Sequence, residues 1–516
     1  MSSIQSGSQA RGLPLVRVIA TGLVIIVSVF LLVYKLSDYP IPWYDEGSHL
    51  HVAKNFALHG VYADSSSEGY RPFGPAVGVG PTVMLPIAGL FSAFGVSIPL
   101  ARLLIVVYSL LTLLLVYSIT AKLTSWPYAL LAVVILLLIP SIRYLYYSRT
   151  VVGEVPGLFF FFAGLLLWLH PRGRSVFGLV CVGILIGFAT ITKNQYAFFI
   201  LPGLLLNWIA DLFWYKRRGW RYYVIPGAIA GVMFFGWLYI VIVKLGQGGD
   251  FGENLKTLQT AGMGALIVVD GDSIPRVARL LADENTFGSL FIGAFIYSLL
   301  TSWRRDEESQ QRGILAVFLF MATVLFCVSL GWDRYAFGPV ALSVFFVILL
   351  IRDGVRVITA DKLGVIGVMR QGKPTPALAL SALLVGWLVV TVVFPLYNRY
   401  HELSTHSMHD AYQAADWIKT NISQDDLIET WEQEIGVLTD NKIHYPPQLI
   451  LAYSVDAEWQ GGDPVADFYD FREPAMPDYV VRGPFGAFTG IYPDDRLDDY
   501  EIVQEIGPYQ IFKRLN

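Results

Sequence analysis

Asp45 and Glu46 are adjacent carboxylates in Trp43-Tyr44-Asp45-Glu46-Gly47, just beyond an apolar run of about 13–36 that is long enough to cross a bilayer. The flanking aromatic rings favour a membrane interface. A bare anchor needs no acidic pair at its mouth, whereas an enzyme that deprotonates a hydroxyl beside the lipid surface does. Like charges side by side raise one of the two pKa values, which suits a general base near neutral pH. The plainer reading is a cap on a helix starting near Gly47. It accounts for one carboxylate and not for two. The next segment, 48–59, reads as an amphipathic run lying at the interface.

A second acid, Glu154, stands in Gly153-Glu154-Val155-Pro156 before an aromatic-rich apolar run. A carboxylate at mid-membrane costs about 2.5–3.5 kcal/mol, so Glu154 needs a partner or a wet cleft, and Arg149 is the nearest cation. Arg71, Arg143, Arg149, Lys193 and Arg334 fall at or near helix ends on the same side as Asp45. Cations there oppose the usual charge bias and suit a lipid-linked phosphate, with Arg able to bind it bidentately. Taken singly, each could instead be snorkelling to head groups. His49 has i,i+3 helical spacing from Glu46. This leaves room for a divalent metal, with Asp45 or Glu154 completing the ligand set.

The elements that must position these residues are mostly membrane helices. Charged residues are only 15% of the 516, apolar residues are 54%, and mean hydropathy is +0.53. Such a chain is solvated largely by lipid, and nothing in it points to nucleic acid. Apolar runs at about 14–36, 98–120, 127–145, 154–169, 175–192, 194–210, 222–244, 287–302, 313–331, 335–351 and 377–397 predict about eleven spans. The run 80–95 reads as re-entrant or interfacial. Every second connection is basic, including Lys216-Arg217-Arg218, Arg304-Arg305 and the stretch from Arg352 to Lys373. That alternation predicts a cytoplasmic N-terminus, with Asp45 and the C-terminal tail outside. A Gly-rich outer loop is expected over 246–286. Cys181 and Cys327 sit in apolar runs and offer neither a disulfide framework nor metal-ligand spacing.

The tail, 398–516, carries 22 acidic against 8 basic residues, a net of −14, which leaves +10 on the rest. It reads as a small soluble α/β domain. A helix is expected over 410–421, strands at 427–431 and 479–481, and a hairpin over 500–512 broken at Gly507-Pro508. It shows no catalytic constellation and is expected to act as a scaffold or docking module. The predicted architecture is therefore a polytopic α-helical membrane domain, 1–397, followed by a soluble domain, 398–516.

Four motifs, in this order and on one side, resemble the GT-C clan of membrane glycosyltransferases. They are closest to its branch of protein O-mannosyltransferases and the lipid A aminoarabinose transferase. The motifs are Tyr44-Asp45-Glu46-Gly47, Ser148-Arg149 with Gly153-Glu154-Val155-Pro156, Thr192-Lys193, and Arg334-Tyr335 with Pro339. Glu154 stands where many members of that branch have Asp. The resemblance implies that Asp45 activates an acceptor hydroxyl while Lys193, Arg334 and Tyr335 hold the donor's phosphate, with Arg71 and Arg149 as further candidates. It implies an inverting transfer, in the plasma (inner) membrane, from a polyprenyl-phosphate sugar to a lipid, glycan or protein hydroxyl outside. A flippase or transporter of lipid-linked sugars would use the same basic groove without a base.

Overall fold

The computed structural model describes residues 6–72, 78–139, 143–245, 266–268, 273–283, 287–288, 290–360, 376–405, 409–473 and 476–515. Most of the Gly-rich loop expected over 246–286 lies outside them, as do Lys362, Arg370 and Lys373. The chain is mostly helical. Among the described residues seven helices are long and apolar enough to cross a membrane. Six are Leu15–Val33, Ile98–Leu123, Asn194–Tyr215, Arg221–Leu245, Glu307–Cys327 and Asp333–Arg356, and the seventh opens at Ala382. The other four expected spans are the shorter apolar helices Trp126–Leu138, Glu154–Trp168, Val176–Thr192 and Phe291–Thr301. At 1.5 Å per residue a helix of this length falls short of a hydrocarbon core about 30 Å thick. Two of them end where the chain must turn to present its polar motifs, at 148–153 and at Lys193.

In chain order the site-bearing elements are α1 (Ser6–Val33), α2 (Tyr44–His59), the hairpin β1 (Ala63–Ser66) and β2 (Gly69–Pro72), and α3 (Pro81–Phe94). Then come α4 (Ile98–Leu123), α5 (Trp126–Leu138), α6 (Tyr144–Tyr147), α7 (Glu154–Trp168), α8 (Val176–Thr192), α9 (Asn194–Ala210) and α10 (Arg221–Tyr239). One large apolar core, with Phe161, Phe162, Trp168, Tyr196, Phe199 and Phe318 fully or almost fully buried, joins α4, α5, α7, α8 and α9 to the helix Glu307–Cys327.

The C-terminal region forms a five-stranded mixed sheet in the order β4-β3-β5-β7-β6. Here β3 (Ile428–Thr430) runs parallel to β4 (Ile443–His444) and to β5 (Tyr479–Arg482). The hairpin β6 (Tyr500–Ile506) and β7 (Tyr509–Arg514) completes it through antiparallel pairing of β7 on β5. Both predicted strands, the helix Asp410–Asn421 and the break at Gly507-Pro508 are present. Gly507 takes a left-handed φ of 53° at that turn.

One expectation for α2 fails. It is not amphipathic: eleven of its sixteen residues are buried, because it is sandwiched between α3 and the helix Gln433–Leu438 of the C-terminal region. Lys54 seals that junction, donating to the carbonyls of Gly436 at 2.9 Å and Thr439 at 2.8 Å and to Asp440 at 2.8 Å. A cation on the last carbonyls of a helix complements its dipole. Gly47 permits the close approach, since a Cβ there would stand 2.5 Å from the backbone nitrogen of Glu434. Gly47→Ala should therefore lower stability by about 1–3 kcal/mol, the usual cost of overpacking. Thermal unfolding in detergent checks this, and an unchanged midpoint would show that the two helices do not depend on this contact.

Candidate functional site

A cavity of about 680 Å³ opens between the helix bundle and the C-terminal region. From the bundle it is lined by Asp45, Glu46, His49, Arg143, Tyr147, Glu154, Lys193, Gln195, Trp332, Arg334 and Tyr335. From the C-terminal region come Leu451, Ser454, Val455, Trp459, Phe485 and Phe488. The tail thus forms one wall of the cavity.

Each polar residue is delivered by a break in regular structure. Asp45 occupies the first turn of α2, whose N-cap Trp43 makes no side-chain capping bond. Lys193 is a single extended residue between α8 and α9, with φ −154° and ψ 130°, and it pairs like a strand residue with Val79. Gly80 N donates to Thr192 O at 2.9 Å on the same seam. Lys193 packs against Gly153, where a Cβ would come within 3.0 Å of its side chain. Glu154 opens α7, and Arg334 sits in the short turn Asp333–Ala336 that precedes the helix Phe337–Ala360.

Two ion pairs dominate the cavity. Arg334 Nη1 donates to Asp45 Oδ2 at 2.8 Å, and Lys193 Nζ pairs with Glu154. The expected Glu154–Arg149 pair does not form. The Arg334 guanidinium lies 4.3 Å from the Trp332 ring centre and 5.8 Å from that of Tyr335, so cation–π attraction holds it in place. Burial pushes the Asp45 carboxyl up, but Arg334, His49 and Lys193 outweigh it and hold the group below the ordinary carboxylate range. Asp45 is thus not raised by its neighbour as the sequence suggested. The cation across the cavity sets the pKa of Asp45, and Glu46 is turned away from it.

Glu46 is spent elsewhere. Its two oxygens accept from Arg102 Nε at 2.9 Å and Nη2 at 2.6 Å, and the Val151 amide donates to it at 3.0 Å. Both side chains are fully buried, and Arg102 also donates to Leu36 O at 3.0 Å. Glu46 therefore anchors Asp45 rather than sharing its task. Arg149 does not line the cavity: it is buried and donates to the carbonyls of Leu31, Tyr34, Lys35 and Tyr39, closing the C-terminal end of α1. Arg71 pairs with Asp64 and donates to Pro446 O at 2.8 Å, tying the β1–β2 hairpin to the C-terminal region. The candidates named from the sequence thus divide into residues whose charged or polar groups serve the cavity (Asp45, Arg143, Glu154, Lys193, Arg334, Tyr335), Glu46, which lines it with its carboxylate engaged by Arg102, and two residues away from it (Arg71, Arg149).

His49 Nδ1 donates to Val151 O at 2.7 Å, since the carbonyl can only accept, and burial pushes its imidazole below the usual value despite Asp45 beside it. Among the described residues no group of three or more His, Cys, Asp or Glu is placed to hold a metal. Asp45 and Glu154, the carboxylates proposed to join His49, are each engaged by a cation. Three buried polar atoms of lining residues have no hydrogen-bond partner among the described residues: Glu154 Oε2, Gln195 Oε1 and Trp332 Nε1. Groups like these are satisfied when a polar ligand or water enters.

No family model matches the chain, and no curated protein matches it in sequence. Solved structures do match in fold. ArnT from Cupriavidus metallidurans in the apo state aligns with a TM-score of 0.59 at 14% identity, over 98% of this chain and 99% of that one. The same protein bound to undecaprenyl phosphate aligns at 0.58 and 13% identity, over 96% and 98%. The oligosaccharyltransferase AglB from Archaeoglobus fulgidus, in complex with an inhibitory peptide and a dolichol-phosphate, aligns at 0.56 and 14%, over 90% and 69%. The chain therefore shares the fold of these two proteins.

The Glu46–Arg102 pair generates a test that separates anchoring from chemistry. Removing one partner of a buried pair leaves an uncompensated charge, a loss of about 3–5 kcal/mol. Glu46→Ala and Arg102→Ala should each lower the unfolding midpoint sharply, whereas Asp45→Asn should leave it nearly unchanged. Equal midpoints for all three would mean that Glu46 is no anchor.

Proposed function

We propose that this protein is a membrane glycosyltransferase that moves a sugar from a polyprenyl-phosphate carrier to an acceptor hydroxyl on the outer side of the membrane. The observation that carries this reading is the pairing of Asp45 with Arg334 and of Glu154 with Lys193 inside one cavity. A base and two cations within one pocket are what displacement of a phosphate from an anomeric carbon requires. The fold neighbours, one bound to undecaprenyl phosphate and one to a dolichol-phosphate, support a lipid-linked donor.

The charge balance dictates an order of events. Each cation in the free site is already neutralised by a carboxylate. A donor phosphate must therefore draw Arg334 and Lys193 away from Asp45 and Glu154. That exchange frees Asp45 to take the proton of the acceptor hydroxyl. The hydroxyl oxygen then bonds to the anomeric carbon as the carbon–oxygen bond to phosphate breaks, and the leaving phosphate keeps the electron pair beside Arg334 and Lys193. One displacement inverts the anomeric centre. Glu154 Oε2 and Gln195 Oε1, unpartnered acceptors at the same end of the cavity, suit the donor hydroxyls of the transferred sugar. In this reading residues 398–516 form an outward-facing domain that closes the site over the substrates.

Asp45→Asn should abolish turnover and leave affinity for the lipid donor largely intact. Turnover within a few-fold of wild type would remove Asp45 as the base and favour the flippase reading. Because the carboxylate is the active form, kcat/KM should fall as pH drops through the depressed pKa of Asp45. Arg334→Gln removes the nearby charge that depresses it, so the residual activity should lose its acid limb roughly one unit higher in pH. An unshifted profile would separate the two groups. Lys193→Ala should raise the donor's KM.

Sidedness is tested with exposed single cysteines in a background lacking Cys181 and Cys327. Replacements of His59 and Ser423 should react with an impermeant thiol reagent in right-side-out membranes, and a replacement of Arg304 only after permeabilisation. Reaction of His59→Cys solely after permeabilisation would place the cavity on the nucleotide-sugar side and defeat the lipid-linked donor.

A further inference from the structure

At the opposite, basic end of the bundle lies a second groove, of about 380 Å³, that the reaction does not use. Its walls are almost wholly apolar: Trp214, Leu299, Trp303, Ala316, Val317 and Phe320. Two features show that it is built rather than left over. First, α9 does not end as an α-helix but widens into a π-turn, Asp211–Tyr215, which ends on Lys216 at a left-handed φ of 54°. Such turns carry an energetic cost and recur at functional sites. This one aims Trp214 and Tyr215 across to the chain segment at 302–303. There Trp214 Nε1 donates to Trp303 O at 2.9 Å and the Tyr215 hydroxyl to Ser302 O at 2.5 Å. Those bonds use up the polar atoms of the two rings and leave their apolar faces to the groove.

Second, the rim is cationic and fixed. Asp211, itself buried, accepts from the backbone amides of Arg217 at 3.3 Å and Arg218 at 2.9 Å, pinning the basic turn beside the groove. Arg217 Nη1 donates to Arg305 O at 3.1 Å, and the Arg305 guanidinium lies 4.5 Å from the centre of the Trp214 ring. Arg218 is paired with Glu307, but neither Arg217 nor Arg305 has a carboxylate within ion-pair distance among the described residues. Outside the rim, Leu212, Phe213, Leu300, Trp303 and Phe320 are exposed, which places the mouth in the lipid-facing belt.

We propose that this groove is a binding site for an anionic phospholipid of the basic-side leaflet, with an acyl chain along Trp214, Trp303 and Phe320 and the phosphate on Arg217 and Arg305. An apolar slot takes any acyl chain. The two unpaired guanidiniums select the head group, because a net negative lipid satisfies both while a zwitterionic one brings its own compensating cation. The π-turn makes both halves of the site from one segment: its rings line the slot and its buried Asp211 positions the cations. A bound lipid would bridge α9 to the helices Phe291–Thr301 and Glu307–Cys327.

The test needs no sugar donor, so its outcome is independent of the proposed transfer. Full-length protein, delipidated in detergent, is titrated with phosphatidylglycerol or phosphatidylcholine of matched chains and read by native mass spectrometry. One phosphatidylglycerol per chain should be retained at least tenfold more tightly than phosphatidylcholine. Arg217→Gln with Arg305→Gln should erase that preference, and Val317→Trp, which fills the slot, should weaken retention of both lipids. Both arginines are exposed, so their loss leaves folding intact and the result readable. Equal retention of the two lipids by the wild type, or a preference unaffected by the arginine changes, would reduce the groove to a stretch of ordinary lipid annulus.

Discussion

The buried pair of Glu46 and Arg102 is the interaction on which the arrangement of this protein turns. Desolvating a carboxylate and a guanidinium costs several kcal/mol per ion, and only close, multiple hydrogen bonds offset it. Here the contact is bidentate, and the remaining polar atoms reach Leu36 O and the Val151 amide. Four separated stretches of chain are thereby brought to one point: the turn after the first helix, the start of α2, the start of α4 and the turn before α7. The adjacent Asp45 is consequently carried on a rigid mount. A residue whose neighbour is locked in this way can face an aqueous cavity without the entropy of a free loop.

The same economy recurs around the cavity. Several cations near it are structural: Arg102, Arg149, Arg71 and Lys54 each serve backbone carbonyls or a buried acid. The cations left to face the cavity, Lys193, Arg334 and Arg143, are each held by a carboxylate. The cavity is thus nearly neutral while strongly dipolar. It can bind an anion only by rearranging its own pairs. Such a site resists filling by stray phosphate in a way that a bare basic patch does not.

Much of this was legible in the sequence, and the reason for each success or failure is physical. Apolar periodicity marks helices reliably, so all eleven runs correspond to apolar helices, although four are too short to be called spans by length. Asp45, Glu154, Lys193 and Arg334 stood out because charge at a lipid boundary demands an explanation, and they do converge. The same rule, applied without geometry, also selected Arg71 and Arg149, whose partners are carbonyls that no sequence pattern displays. It should have selected Arg102, a lone cation inside an apolar run. The role of Glu46 was misread because adjacency in sequence says nothing about direction on a helix: at 100° per residue, neighbours face different ways. The wall formed by Trp459, Phe485 and Phe488 was invisible because contacts between distant segments leave no local signature.

That last kind of contact has a consequence for how the molecule comes into being. The partners of Lys54 lie 382 to 386 residues further along the chain. When α2 is synthesised, nothing yet exists to cover its second face. It must wait, half solvated, while every membrane helix is synthesised and inserted, and closes only when the final sheet assembles beside it. Contacts of such long separation form late, after the local ones. A polypeptide interrupted anywhere before residue 436 therefore has its Asp45-bearing helix present but uncovered. Completion of the chain, more than insertion of its helices, is the event that brings the cavity into existence.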